Sequence, residues 1–313
     1  MGPSVLDPLG RAWERTLALL FRPFEPNKWL TLALAAFLIS LGDCSGGGGG
    51  GTNFGVNLRD HRSPLRDLER AARDAGDWAG EHLVLLLVLG ALGALVAVCV
   101  WLLFVWLSSR GRFLLLDGVV RDRAAVVEPW GEYRREANSL FAFTALFQAV
   151  TIVLFLGGMA LGLALAWGDL RGERFGPGAL LGAVLGGGFL FALSLAAALV
   201  SLFLVDFVVP AMYARRLRVG AAWRVALAEV LRPHLGAVVL YVLVRIVVAV
   251  VLGLLTLGLM CGTLGLACCL LMIPYVSSLV LLPFTVFVRT YSLEFLAQLG
   301  PAWTLRPPER AAT

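Results

Sequence analysis

The chain alternates long runs free of Asp, Glu, Lys and Arg with short charged clusters. Residues 82–109 form an uncharged run of 28, residues 137–168 one of 32 and residues 175–205 one of 31. Each suits one helix, because about 20 mostly apolar residues cross a hydrocarbon core of about 30 Å. Residues 233–288 add 56 positions with a single charge, Arg245. That length predicts two helices, broken near Met260-Cys261-Gly262-Thr263. The first run, Trp29–Gly42, has only 14 residues, about 21 Å as a helix. It crosses if Lys28 snorkels at one end and the helix continues to Ser45 at the other. The pattern predicts an all-α integral membrane protein with six spans, near 28–45, 82–108, 139–168, 178–205, 234–259 and 263–288.

Composition excludes several classes. Apolar types make up 59% and charged types 15%, with a mean hydropathy of +0.84. Soluble domains lie near half apolar and a quarter charged, so neither a disordered chain nor a soluble enzyme fits. The 25 arginines and one lysine give a net charge of +5. They lie between uncharged runs rather than on one basic face, which argues against nucleic acid as a partner. With the N-terminus in the cytoplasm, 18 basic residues fall inside, seven outside and Arg245 within a span. The positive-inside rule then places both termini in the cytoplasm. The longest outer loop, residues 46–81, opposes that bias with Arg59, Arg62, Arg66, Arg70 and Arg73. Its acids alternate with the arginines, which predicts a solvated surface helix over Ser63–Gly76. The Gly46–Gly51 tract lacks the Lys-Ser/Thr that follows a phosphate-cradling loop and reads as a linker. The N-terminal stretch is a poor signal peptide, since 28 residues precede the apolar run and no A-x-A site follows. Asp43 directly before Cys44 is likewise wrong for a lipoprotein site.

An internal repeat organises the chain. GRAWERTLALLFRP at 10–23 and GAAWRVALAEVLRP at 220–233 share seven of 14 positions at an offset of 210, including Trp13/Trp223 and Arg22-Pro23/Arg232-Pro233. A weaker third copy lies at Trp130–Phe141, with Trp130, Tyr133, Ala137, Leu140 and Phe141 on one helical face. In the first copy Leu9, Trp13, Leu17 and Leu20 oppose Arg11, Glu14, Arg15 and Arg22. Such short, charged, Trp-bearing segments fit amphipathic helices lying in the membrane interface. Leu116-Asp117-Gly118-Val119-Val120 and Val205-Asp206-Phe207-Val208-Val209 also echo each other. The expected architecture is three transmembrane hairpins, each preceded by an interfacial helix. Like-oriented repeats occur in transporters and elsewhere.

Few residues carry candidate chemistry. Gly158, Gly162 and Ala166 recur every four residues, as do Gly178, Gly182 and Gly186, which predicts that these two faces pack together. The alternative is an unwound substrate-binding stretch at Gly186-Gly187-Gly188. Arg245 lies about 18 Å into its span, where an unpaired cation costs at least ~2.5 kcal/mol. Asp206 is its partner by depth, and the pair serves either an anion or proton site or a structural link. His61, His82 and His234 lie in loops or at span ends, with no metal-ligand spacing. No cofactor is expected. Cys268 and Cys269 read as apolar filler, whereas Cys44 and Cys261 share the outer side and could pair in an oxidising compartment.

Leu20–Gly51, with Arg-Pro-Phe, Lys-Trp-Leu and the glycine run, resembles the start of a family of uncharacterised prokaryotic membrane proteins. Arg289-Thr290-Tyr291-Ser292-Leu293 resembles that family's closing motif. More remotely, the Asp-x-Val-Val and Trp-Arg elements resemble the membrane domain preceding some glycerophosphodiester phosphodiesterases. The resemblance implies a six-helix fold in a prokaryotic inner membrane and no established activity. No catalytic residue of the phosphodiesterases carries over. The expected function is non-enzymatic: a scaffold, accessory or lipid-organising protein whose partners are membrane lipids or another membrane protein. The alternative is a small-solute transporter or channel using Arg245 in a polar pathway. A third possibility, a lipid-modifying enzyme, lacks its cluster of acids or histidines.

Overall fold

A computed structural model describes residues 4–42, 82–171, 176–262 and 273–305. Every regular element among the described residues is helical. Helices α1 (Asp7–Phe21) and α2 (Pro26–Gly42) precede α3 (Leu83–Arg121). A short α4 (Val127–Glu132) leads into α5 (Arg134–Arg171). Helix α6 (Pro177–Phe203) continues through a π turn, Leu204–Val208, into α7 (Val209–Arg215). Helix α8 (Val219–Val225) likewise runs into a π turn, Ala226–Leu231, ahead of α9 (Leu235–Gly262). Helices α10 (Pro274–Val280) and α11 (Leu282–Ala297) close the fold.

Among the described residues, four helical stretches are long and apolar enough to cross a membrane: Val84–Arg121, Arg134–Trp167, Leu180–Arg215 and Leu235–Gly258. Helices α10 and α11 qualify as a fifth only together, and they are bent by 59°. At 17 residues α2 is about 26 Å long, the shortest of the expected spans. Among the described residues, length and composition thus single out four helices, or five with the bent pair, where the uncharged runs predict six. The expected loop at 46–81, with its glycine tract and surface helix, lies outside the described residues. So do Cys44, Cys268 and Cys269, and with Cys44 the expected pairing to Cys261.

The core sits at one end of the bundle. Buried side chains come from Val105–Val120 of α3, Tyr133 between α4 and α5, Glu136–Leu140 at the start of α5, Leu204–Tyr213, Val238 and Tyr241 of α9, and Val286–Leu296 of α11. Helices α1 and α2 pack into the same cluster. Helix α2 lies against the C-terminal half of α3, where a β-carbon on Gly111 would sit 2.9 Å from Ala35 O. Ser108 Oγ donates to Ile39 O at 3.0 Å across this contact. Beyond the core, the opposite halves of α3, α5, α6 and α9 present apolar side chains outward: Leu92 is 55% exposed, Leu161 62% and Val247 60%.

The predicted repeat segments take different forms. In α1 the buried residues are Pro8, Ala12, Thr16, Leu19 and Leu20, while Trp13 is exposed. The apolar residues of α1 therefore occupy two faces, where the sequence places them on one. At the offset of 210, Ala222, Ala226 and Val230 are buried like Ala12, Thr16 and Leu20. The stretch 130–141 is not one short helix. It breaks at Tyr133, between α4 and α5, and from Arg134 onward it is the beginning of the long α5.

Glycine packing joins α5 to α6. A β-carbon on Gly182 would lie 2.5 Å from Gly162 O, and one on Gly186 2.9 Å from Gly162 Cα. One on Gly178 would lie 3.0 Å from Leu165 O. Without side chains the two backbones approach to direct contact, which replaces the hydrophobic drive that lipid does not supply. Helix α6 runs unbroken through Gly186-Gly187-Gly188, so no unwound stretch occurs there. Gly182→Leu should lower the melting temperature in detergent by several degrees, an overpacking cost of about 1–3 kcal/mol. Gly187→Leu, at a position with open space around it, should leave the melting temperature within error of wild type. Equal effects of the two substitutions would contradict the glycine seam.

Candidate functional site: two buried carboxylates

Proline chemistry builds the first centre. Pro210 has no amide hydrogen, so it cannot bond the Asp206 carbonyl four residues earlier. In the π turn the Val209 amide reaches back to Leu204 O, which also frees Val205 O. Both released carbonyls are met from α11. The Arg289 guanidinium donates to Val205 O at 2.6 Å, and Ser292 Oγ donates to Asp206 O at 2.6 Å. Arg289 and Ser292 lie three residues apart on α11 and so share one helical face.

The Asp206 side chain, 2% exposed, points at α9. Tyr241 OH donates to Oδ2 at 3.0 Å, and Arg245 Nε lies 3.6 Å from the same oxygen. Tyr241 and Arg245 are four apart on α9 and occupy one face. The structure thus places the two sequence candidates, Asp206 and Arg245, side by side. Arg245 keeps 22% of its side chain exposed, and its contact is longer than a hydrogen bond. The tighter links to Asp206 are Tyr241 and Ser292. The Tyr241 ring stacks on Tyr291 at 5.0 Å, and Tyr291 OH reaches Val5 O at 3.2 Å. This centre therefore ties the N-terminal segment, the π turn, α9 and α11 together.

The second centre is Asp117, fully buried near the end of α3. Tyr213 OH from α7 donates to Oδ1 at 2.9 Å, and Arg123 Nε donates to Oδ2 at 2.9 Å. Arg121 Nε approaches Oδ1 at 3.3 Å. The Tyr133 ring stacks between Tyr213 at 4.8 Å and Phe113 at 5.7 Å. Arg216 lies over Tyr133, 4.0 Å from its centroid, and pairs with Glu132. Two residues with left-handed backbone, Asp122 (φ 52°) and Arg216 (φ 53°), end α3 and α7. Each is held by an ion pair, Asp122 to Lys28 and Arg216 to Glu132. The pairs offset the cost of that backbone shape in residues with a β-carbon.

Electrostatics at this rim are satisfied by neighbours. The Glu132 carboxyl is held below the ordinary glutamate range, first by its bonds from Arg121 and then by Arg216. Burial pushes the Tyr133 phenol up. Arg123 is raised through its bond to Asp117. Nearby, Arg110 lies between Trp106 at 5.0 Å and Trp130 at 5.3 Å and donates to Trp130 O at 2.7 Å. Among the described residues the buried ionisable groups balance: Lys28, Arg110, Arg112 and Arg289 against Asp117, Glu136, Asp206 and Glu294. No cluster of three or more His, Cys, Asp or Glu that could hold a metal occurs among them. Described groups at both carboxylates join one helix to another, a structural use of charge.

Arg289, Tyr241, Tyr213 and Asp117 are absent from the sequence candidates for chemistry, yet they build the two centres through bonds of 2.6, 3.0 and 2.9 Å. The echo of Asp-x-Val-Val at 117 and 206 is the signal that marks both carboxylates. A model of one family matches residues 4–262. The chain belongs to DUF7544, a family of unknown function. The match ends with α9, so the Arg289 and Ser292 contacts of this DUF7544 protein come from beyond it. No curated protein and no solved structure matches the chain. The expected likeness to the phosphodiesterase membrane domain gains no support from the comparisons.

Two outcomes test this geometry. Arg289→Gln should cost about 3 kcal/mol or more, because it strands a buried carbonyl and removes a buried charge. Arg245→Gln should cost about 1 kcal/mol or less, as a longer and more exposed contact. Thermal melting of the purified variants gives the order, and a reversed order would overturn the assignment. For Glu132 the folded pKa is lowered, so its stabilisation is complete above about pH 4.3 and is lost as pH falls through the folded value. The acid-side fall in melting temperature should be shallower in Glu132→Gln than in wild type.

Proposed function

We propose that this chain is a non-enzymatic polytopic protein of a prokaryotic inner membrane, acting as a scaffold or lipid-organising factor. The observation that carries this reading is the division of the molecule into two parts. At one end the described buried charges are balanced, and Asp117, Asp206, Arg110 and Arg289 among them join helices. In the other part, at most 11% of the most apolar 18-residue stretch of each long helix is buried inside the chain. Such surfaces are covered by lipid or by other membrane helices. The excess of basic residues on one side supports cytoplasmic termini. The shared burial of Ala12/Ala222, Thr16/Ala226 and Leu20/Val230 supports repeated units.

A transport reading rests on one observation, the partly exposed Arg245 beside Asp206. Reconstitution separates the two. Liposomes bearing the wild-type protein should show no flux of protons, potassium or chloride above protein-free liposomes. Arg245→Gln, once shown to fold, should restore the phenotype of a deletion strain. A flux that Arg245→Gln abolishes would replace the scaffold reading with the transport one.

A further inference from the structure

Helix α1 has three faces rather than two. One, Pro8, Ala12, Thr16, Leu19 and Leu20, is buried in the core. A second carries Asp7, Arg11, Glu14 and Arg22, all exposed. The third is apolar and open: Leu6 is 70% exposed, Trp13 52% and Phe21 46%, with Leu17 half-buried between them. Steps of seven, four and four residues keep these side chains on one stripe. The stripe continues past the helix into Phe24, 59% exposed, and Leu30 of α2, 46% exposed.

The stripe is held rigidly. Trp29 Nε1 donates to Leu20 O at 2.7 Å, fixing the corner between α1 and α2. Phe21 and Phe24 each pack on Trp29 at 5.6 Å, and Trp13 meets Phe287 of α11 edge-on at 5.9 Å. Arg15 anchors the helix to the end of α3 through Val119 O at 3.3 Å and to α11 through Glu294 at 3.2 Å. The apolar exterior reaches this end of the molecule, since Leu235, the first residue of α9, is 57% exposed.

We infer that α1 docks in the headgroup–acyl boundary of the leaflet, with the stripe from Leu6 to Phe24 inserted among the acyl chains. The occupant follows from continuity with the apolar outer surface and from residue type, because Trp and Phe favour that boundary. Charge shapes the specificity. The exposed ionisable residues of α1 and the turn after it are Arg11 and Arg22 against Asp7, Glu14 and Glu25. A surface with more acid than base gains nothing from anionic headgroups, so α1 inserts through packing and does not require anionic lipid. This inference rests on the membrane reading above and names the lipid contact within it.

Spin labels on single cysteines at Leu6, Phe24, Arg11 and Glu14, in the full chain with its native cysteines replaced, test it. The label at Leu92 of α3 serves as the control. The variants are reconstituted in phosphatidylcholine vesicles with and without phosphatidylglycerol. Labels at Leu6 and Phe24 should collide several-fold more with oxygen than with a water-soluble nickel complex, equally in both lipids. Labels at Arg11 and Glu14 should show the reverse. Water-exposed labels at Leu6 and Phe24, with Leu92 still in lipid, would overturn the docking of α1 alone. Water exposure at Leu92 as well would overturn the membrane reading itself. Insertion only with phosphatidylglycerol would overturn recognition by packing. Dipolar broadening between copies at Leu6 would place a second chain on the stripe and overturn the lipid contact.

Discussion

A carboxylate taken out of water must find its donors inside the fold. Asp117 and Asp206 meet this constraint in the same way: each accepts a phenol from a later helix, Tyr213 in one case and Tyr241 in the other. The phenol brings a ring, and the ring brings a stack, Tyr133 and Phe113 on one side and Tyr291 on the other. A polar requirement at one atom thus fixes apolar packing over three helices. The hydrogen bond supplies direction and the rings supply buried area.

Pro210 extends the same logic to the backbone. By denying the helix its amide, it turns two main-chain carbonyls into acceptors for side chains of α11. A helix without that residue would satisfy Val205 and Asp206 internally and offer α11 no polar contact. The π turn and the buried Arg289 are therefore one feature seen from its two ends. It makes the last helix part of the core even though the apolar length of α10 and α11 is broken by a bend.

Uncharged runs make the long helices legible, because length and hydropathy act locally along the chain. The glycine series is legible for a similar reason, since spacing of four on each helix defines a seam whatever the partner. The placement of Asp206 beside Arg245 is legible from depth alone. What the sequence does not display is which donor is strongest. Depth cannot separate Tyr241 from Arg245, four residues apart on the same face, and the phenol holds the shorter bond. Nor does an uncharged run reveal the π turn at Leu204–Val208, which straddles the end of that run. The length of α5 was hidden because charged residues at 134–136 read as a surface segment, whereas they begin a helix that continues into the apolar run.

Repeated sequence with unlike surroundings bears on how the outer stripe of α1 arose. Trp13 and Trp223 occupy equivalent positions at the offset of 210, and the small or apolar residues beside them are buried alike. Trp223 stacks on Phe203 at 5.1 Å and lies 6.0 Å from Phe143, whereas Trp13 touches Phe287 by its edge and is half open. The difference comes from neighbours rather than from the segment: α5 and α6 flank Trp223, and nothing comparable among the described residues flanks Trp13. An aromatic side chain left open at the end of an apolar bundle loses its hydrophobic stabilisation in water and keeps it in lipid. The same indole position thus packs between two long helices in one segment and, with α1 at the edge of the bundle, stays half open in the other.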